Sequence, residues 1–263
     1  MRRYSFPCPL ALLAVSRRPA QNPAGPAPSP ERLDTLLKAW EQRMTGIENL
    51  TTKCNRTTVD AVTKRSTVFI GEAAFMKPNM ARIDLTAQDE AGLKDAEKTN
   101  FERIFCNGQY IYEYSPRDKK IIIHDIPKDA AMDNMILSFL KGMKAEDAKK
   151  RFGLTLTKET EWYGYIYITP KTDADKQDFT AAQLTVWVKN PNPQGQPNLV
   201  MMPCRLWYRQ SNGREVTYMF SEMQPNGKIE RDAFVPRSIQ GYETIRANQV
   251  AAPPKDKAPT IRP

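Results

Sequence analysis

A single histidine, His124, has to carry whatever imidazole chemistry this 263-residue chain possesses. In Ile121-Ile122-Ile123-His124-Asp125-Ile126 it alternates with Ile122 and Ile126 on one face of an extended segment. One imidazole falls short of a two-histidine metal site, and no Gly-x-Ser-x-Gly elbow supplies the nucleophile of a Ser-His-Asp triad. His124 therefore reads as a structural or surface residue. No two of Cys8, Cys54, Cys106 and Cys204 have the Cys-x-x-Cys spacing of a zinc knuckle or a dithiol redox motif. Cys54, Cys106 and Cys204 fit either one disulfide plus a free thiol or three buried thiols. Glu159 and Glu161 are a conceivable carboxylate pair, but Lys158 beside them makes a solvated charge run the simpler reading. A phosphate-cradling Gly-x-x-x-x-Gly-Lys loop and a dinucleotide fingerprint are both missing. The expectation is a binding protein without a catalytic centre, a metal or a cofactor.

The residues left for function are apolar. Tyr163, Tyr165 and Tyr167 share one face of a strand, opposite Trp162, Gly164, Ile166 and Ile168, and Tyr110, Tyr112 and Tyr114 repeat the pattern. Tyrosine favours strands for packing reasons alone. The functional alternative is that these rows line a hollow for a flexible apolar chain, with Met132, Met135 and Met143 as adaptable wall or lid residues.

Ser29 and Pro30 form a cap and first helical residue, and Leu33, Leu36, Leu37, Trp40, Met44, Ile47 and Leu50 recur at three-to-four spacing, which predicts an amphipathic helix over 33–50. Its mixed polar face suits a helix packed on a sheet. From Thr51 the period becomes two. Thr67 to Met76 is apolar on both faces, as in a strand covered on both sides. Asn107-Gly108 and Asn212-Gly213 mark tight hairpins, Ser115-Pro116-Arg117-Asp118 a further turn, and Asn190 to Pro203 a long loop. Met132, Met135, Ile136, Phe139, Leu140 and Met143 return to helical spacing. Strands are expected at Trp162 to Thr169, Phe179 to Lys189, Cys204 to Gln210 and Val216 to Met223. Short turns make the sheet antiparallel, and two helices among so many strands must cover one face of it.

The balance of 39 Lys+Arg against 30 Asp+Glu gives +9, but Arg2, Arg3, Arg17 and Arg18 supply four of those charges. The rest are scattered in mixed runs, which argues against a nucleic-acid face. No apolar run approaches the roughly 18 residues of a spanning helix. Met1-Arg2-Arg3 followed by the apolar run Phe6 to Val15 resembles an export signal over residues 1–18, interrupted by Pro7 and Pro9. A Pro/Ala-rich linker follows at 19–29, then a folded domain at 30–246 and a disordered tail at 247–263.

The order of motifs resembles the LolA-like periplasmic lipoprotein carriers from about Leu33 to Pro236. An amphipathic helix leads to Phe69-x-Gly71, Lys77-Pro78-Asn79, Cys106-Asn107-Gly108, Ile111-Tyr112-x-Tyr114 and Pro116. Ile168-Thr169-Pro170-Lys171 with Phe179, and Asn226-Gly227-Lys228-Ile229 through Phe234-Val235-Pro236, continue the series. The resemblance implies a mainly β fold: a strongly curved antiparallel sheet or incomplete β-barrel with helices over its open concave side. It also implies transport without chemistry in the bacterial envelope, with a lipid or lipoprotein acyl chains as ligand and envelope proteins as further partners. The implied cavity and lid residues are Trp40, Met44, Phe69, Phe75, Tyr112, Tyr114, Met135, Ile136 and Phe139, with Lys77 as a latch. The carriers typically hold arginine where Lys77 stands, and lysine lacks its planar multi-donor fork. Ala81 occupies the place of a bulky apolar residue, Arg82-Ile83 also departs, and the loop Asn190 to Pro203 resembles an insertion. An interaction or sensor module with a vestigial cavity is the alternative on the same fold.

Overall fold

The computed structural model describes residues 28–126, 144–192 and 194–247. Helix α1 (Pro30–Thr45) starts as its cap chemistry dictates, with Ser29 Oγ accepting from the Arg32 N–H at 3.3 Å, Pro30 in the first turn and Glu31 at the positive helix end. Leu33, Leu36, Leu37, Trp40 and Met44 are buried along one stripe. The helix stops at Thr45, short of the expected Leu50: Gly46 is its C-cap, and Leu50 already belongs to a strand whose Asn49 pairs with Met76. Ile47 and Leu50 are buried nonetheless, one from the connection and the other from the strand.

Twelve strands follow among the described residues. The first meander comprises β1 (Asn49–Val59), β2 (Ser66–Met76), β3 (Met80–Ala87), β4 (Phe101–Asn107), β5 (Tyr110–Ser115) and β6 (Lys120–Asp125). After α2 (Ala145–Arg151) the second contains β7 (Phe152–Glu159), β8 (Tyr163–Pro170), β9 (Ala181–Trp187), β10 (Pro203–Arg209) and β11 (Glu215–Pro225), with α3 (Asp173–Asp178) between β8 and β9. Asn107 and Asn212 build the two expected hairpins. Their side-chain oxygens accept from the N–H groups of Gln109 and Tyr110, and of Arg214, while Gly108 (φ +91°) and Gly213 (φ +80°) take the left-handed conformation open to glycine.

The meanders join through β1 and β11 into one sheet of order β12-β6-β5-β4-β3-β2-β1-β11-β10-β9-β8-β7, which does not close into a barrel. The sheet is not wholly antiparallel, as short turns alone would make it. The last strand, β12 (Glu243–Arg246), returns after a long connection and pairs parallel to β6. The expected helix bearing Met132, Met135, Ile136, Phe139 and Met143 lies outside the described residues.

Each face of the sheet is covered over a different half. Helix α1 crosses what we term the inner face, from β7, where Arg32 Nε donates to Glu159 at 2.8 Å, to the β2–β3 turn, where Lys77 Nζ donates to the Thr45 carbonyl at 2.7 Å. Its stripe packs with Leu156, Ile166, Leu184, Leu206, Tyr218 and Ile83 in the main core. The outer face of β2 to β6 is covered by the chain after β11. Phe234 packs with Ala74 and Met80, Ile239 joins Phe101, Phe105, Tyr114 and Ile121, and Tyr114 Oη donates to the Arg237 carbonyl at 2.7 Å. Cys54, Cys106 and Cys204 are three separate buried thiols, which decides between the two readings of their pattern.

Candidate functional site

Strands β4 and β5 begin together at their hairpin and then part. Their pairing runs from Cys106 with Ile111 to Ile104 with Glu113 and ends there, although β4 continues along β3 to Phe101 and β5 continues along β6 to Ser115. Between the diverging segments opens a cleft of about 480 Å³, within the size range of ligand pockets. Ile104, Glu102 and Phe101 line it from β4, Tyr114, Pro116 and Arg117 from the other side, and Arg56 and Phe69 from β1 and β2, beyond β3.

The pairing register sorts these side chains. Residues directly opposite share a face, so Arg56 with Phe69, and Ile83 with Ile104, Glu113 and Ile122, stand on the inner face. Phe69, Ile104, Ile111, Ile122 and Ile126 are only half-buried, an apolar floor that α1 leaves partly open. The Arg56 guanidinium lies 4.3 Å from the centroid of the Phe69 ring and pairs with Glu102 across two strands. Its Nε is buried without a hydrogen-bond partner among the described residues. Arg117 is exposed at the mouth.

The wall on the β4 side is fixed by the loop before it. Glu90 accepts from the backbone N–H groups of Thr99 (2.7 Å) and Asn100 (2.9 Å) and from both their side chains. These bonds, the Thr99 hydroxyl foremost, hold its carboxyl down at about 2. Behind the cleft Arg103, 6% exposed, donates to Asp84 and Asp95, and the guanidinium with Lys98 holds Asp95 down at about 2. Burial pushes the Tyr114 phenol up to about 12, so it stays a neutral donor to Arg237.

Of the residues expected to form the site, the cleft brings together Phe69 and Tyr114. Trp40, Met44 and Phe75 are packed inside the main core with α1. Tyr112 lies with Phe105 and Ile123 on the outer face, against the second cluster. Met135, Ile136 and Phe139 fall outside the described residues. Lys77 contacts the end of α1: besides the Thr45 carbonyl it meets Glu48 at 3.1 Å. Sequence reasoning missed Arg56, Glu102, Ile104 and Arg117; an arginine amid Thr and Asn in β1 carries no periodic signal. His124, half-exposed, meets Glu113 at 3.1 Å. Among the described residues no group of three His, Cys, Asp or Glu side chains is placed to hold a metal, and no helix is long and apolar enough to cross a membrane.

No protein-family model and no curated protein matches the sequence. Similar solved structures include an uncharacterized conserved protein from Thermus thermophilus (TM-score 0.45, 8% identity, covering 81% of this chain and 99% of that one). They also include LprF from Mycobacterium bovis (0.40, 14%, 78% and 98%) and a LolA superfamily protein from Nitrosomonas europaea (0.38, 10%, 77% and 97%).

Proposed function

We propose that this chain binds an amphiphile, a lipid or the acyl chains of a lipoprotein, and performs no chemistry on it. The observation that carries the reading is the cleft between β4 and β5, which opens beside the half-buried apolar floor of Phe69, Ile104, Ile111, Ile122 and Ile126. The apolar chain lies along that floor. The polar end meets Arg117 at the mouth and the guanidinium of Arg56 in the lining. The motif series that resembles the lipoprotein carriers supports the same ligand class, and export by residues 1–18 belongs to the proposal.

A fluorescent fatty acid should bind with micromolar affinity, equivalent to roughly −8 kcal/mol, and with a negative heat-capacity change from apolar burial. Ile104→Asp would set an unpaired carboxylate in the path of the chain and should abolish uptake while leaving the circular-dichroism spectrum unchanged. If the folded wild type takes up no acyl probe, and none co-purifies with it in native mass spectrometry, an interaction module on the same sheet replaces this reading.

A further inference from the structure

The two coverings of the sheet leave a second open region, the outer face of β8 to β11. Cross-strand pairs order it in rows. Tyr163 stands opposite Trp187; Tyr165, Thr185, Arg205 and Met219 follow in line, then Tyr167, Gln183, Trp207 and Thr217. The face is the outer one because Gly164, between the first two tyrosines, is backed by Leu36 of α1. All five rings are half-buried, and Met219 (49% exposed) and Trp162 (38%) mark two margins of the patch.

Its electrostatics single out one residue. Lys189 pairs with Glu161 and lies 4.5 Å from the Trp162 ring centroid, and Arg209 pairs with Glu215 at 2.9 Å. Arg205, in the middle row, has no carboxylate partner among the described residues, and its Nε is buried without an acceptor. Beside it the Thr185 hydroxyl, on a residue 3% exposed, is also buried without a partner. The outer end of a half-buried guanidinium with no carboxylate to neutralise it, set amid aromatic rings, is a cation that an anionic oxygen can reach.

We propose that the outer face of β8 to β11 docks on a lipid bilayer, with Arg205 taking an anionic headgroup phosphate. Tyrosine and tryptophan, apolar bodies with a polar edge, are the side chains that settle at the headgroup level of membranes. A glycan fits less well. Rings that stack on sugars need open faces, whereas Tyr163 packs on Trp187 at 4.6 Å and on Tyr165 at 6.2 Å. The site is separate from the cleft between β4 and β5 and does not rest on the acyl-binding reading.

The test is co-sedimentation of the full chain with vesicles of phosphatidylcholine alone or mixed with phosphatidylglycerol. Binding should appear with the mixture and be much weaker without the anionic lipid. Arg205→Gln should weaken it roughly fivefold, the ratio expected for one surface cation worth about 1 kcal/mol. Met219→Glu, at an exposed position that folding does not need, should abolish it, and Val62→Glu, 88% exposed in the distant β1–β2 turn, should change nothing. Absence of vesicle binding by the wild type, equal binding by Met219→Glu, or tryptophan-fluorescence titration with a soluble oligosaccharide but not with vesicles would each overturn the proposal. Ile104→Asp should sediment like the wild type, which separates failure here from failure of acyl uptake.

Discussion

Glycine at position 71 is required by backbone contact. A Cβ built there would stand 2.0 Å from the Asp84 carbonyl oxygen of β3, an atom with no rotamer to yield. Gly71→Ala should therefore push β2 from β3 and destabilise the protein by about 1 to 3 kcal/mol or more, the scale of overpacking; an unchanged urea midpoint would refute the close approach. Trp40 is 2% exposed at the centre of the α1 stripe, and Trp40→Ala should cost roughly 3 to 5 kcal/mol, measured by the same titration. Both residues stand out in the sequence, Gly71 within an apolar strand and Trp40 on an amphipathic stripe. Arg56 does not. Its role depends on Glu102, 46 residues away, and on a strand divergence that no local pattern encodes. Tyr112 and Tyr114 alternate as partners of one face, and alternation shows that they share a face without telling which face it is.

At the scale of elements, legibility follows local chemistry. The start of α1 and both Asn-Gly hairpins are readable because cap and turn residues act on their own neighbours. Strand β1, Asn-Leu-Thr-Thr-Lys-Cys-Asn-Arg-Thr-Thr-Val, is not, since only alternate partners from β2 and β11 make its sparse apolar positions useful. Helix α3 is held by its Thr172 cap and by one tertiary ion pair. Asp175, 3% exposed, accepts from Arg151 Nε at 2.9 Å and from the Thr172 hydroxyl at 2.6 Å, and its burial limits screening of the pair by water. Arg151, ahead of Thr172, holds its carboxyl below the usual range. A carboxyl with a depressed folded pKa adds stability that is whole above its unfolded value, near 3.9, and is lost as the pH falls through the folded one. The wild type should thus lose stability below about pH 4, and Asp175→Asn should be less stable at pH 7 while showing a shallower acid limb; parallel pH–stability curves for the two proteins would contradict this.

For the whole molecule, the consequence that matters is how one open sheet is covered. Helix α1 shields the inner face toward β7, and the returning chain after β11 shields the outer face of β2 to β6 and adds β12 in parallel. That return is invisible in sequence because a four-residue strand of Glu, Thr, Ile and Arg has no periodicity to announce it. The inner floor near β4 to β6 is consequently one of two regions where the described residues keep half-buried apolar surface, and it is the one proposed to take the ligand. A ligand that binds only the folded state stabilises it by about 2.7 kcal/mol at a hundredfold excess over its Kd. For a chain of this size each kcal/mol raises the melting temperature by about 2 to 4 °C, so saturating oleate should raise it by roughly 5 to 11 °C. Ile104→Asp should melt with no such dependence, whereas Tyr112→Phe, on the opposite face, should keep it. Equal shifts in wild type and Ile104→Asp would place the ligand away from the cleft and detach the open inner floor from binding.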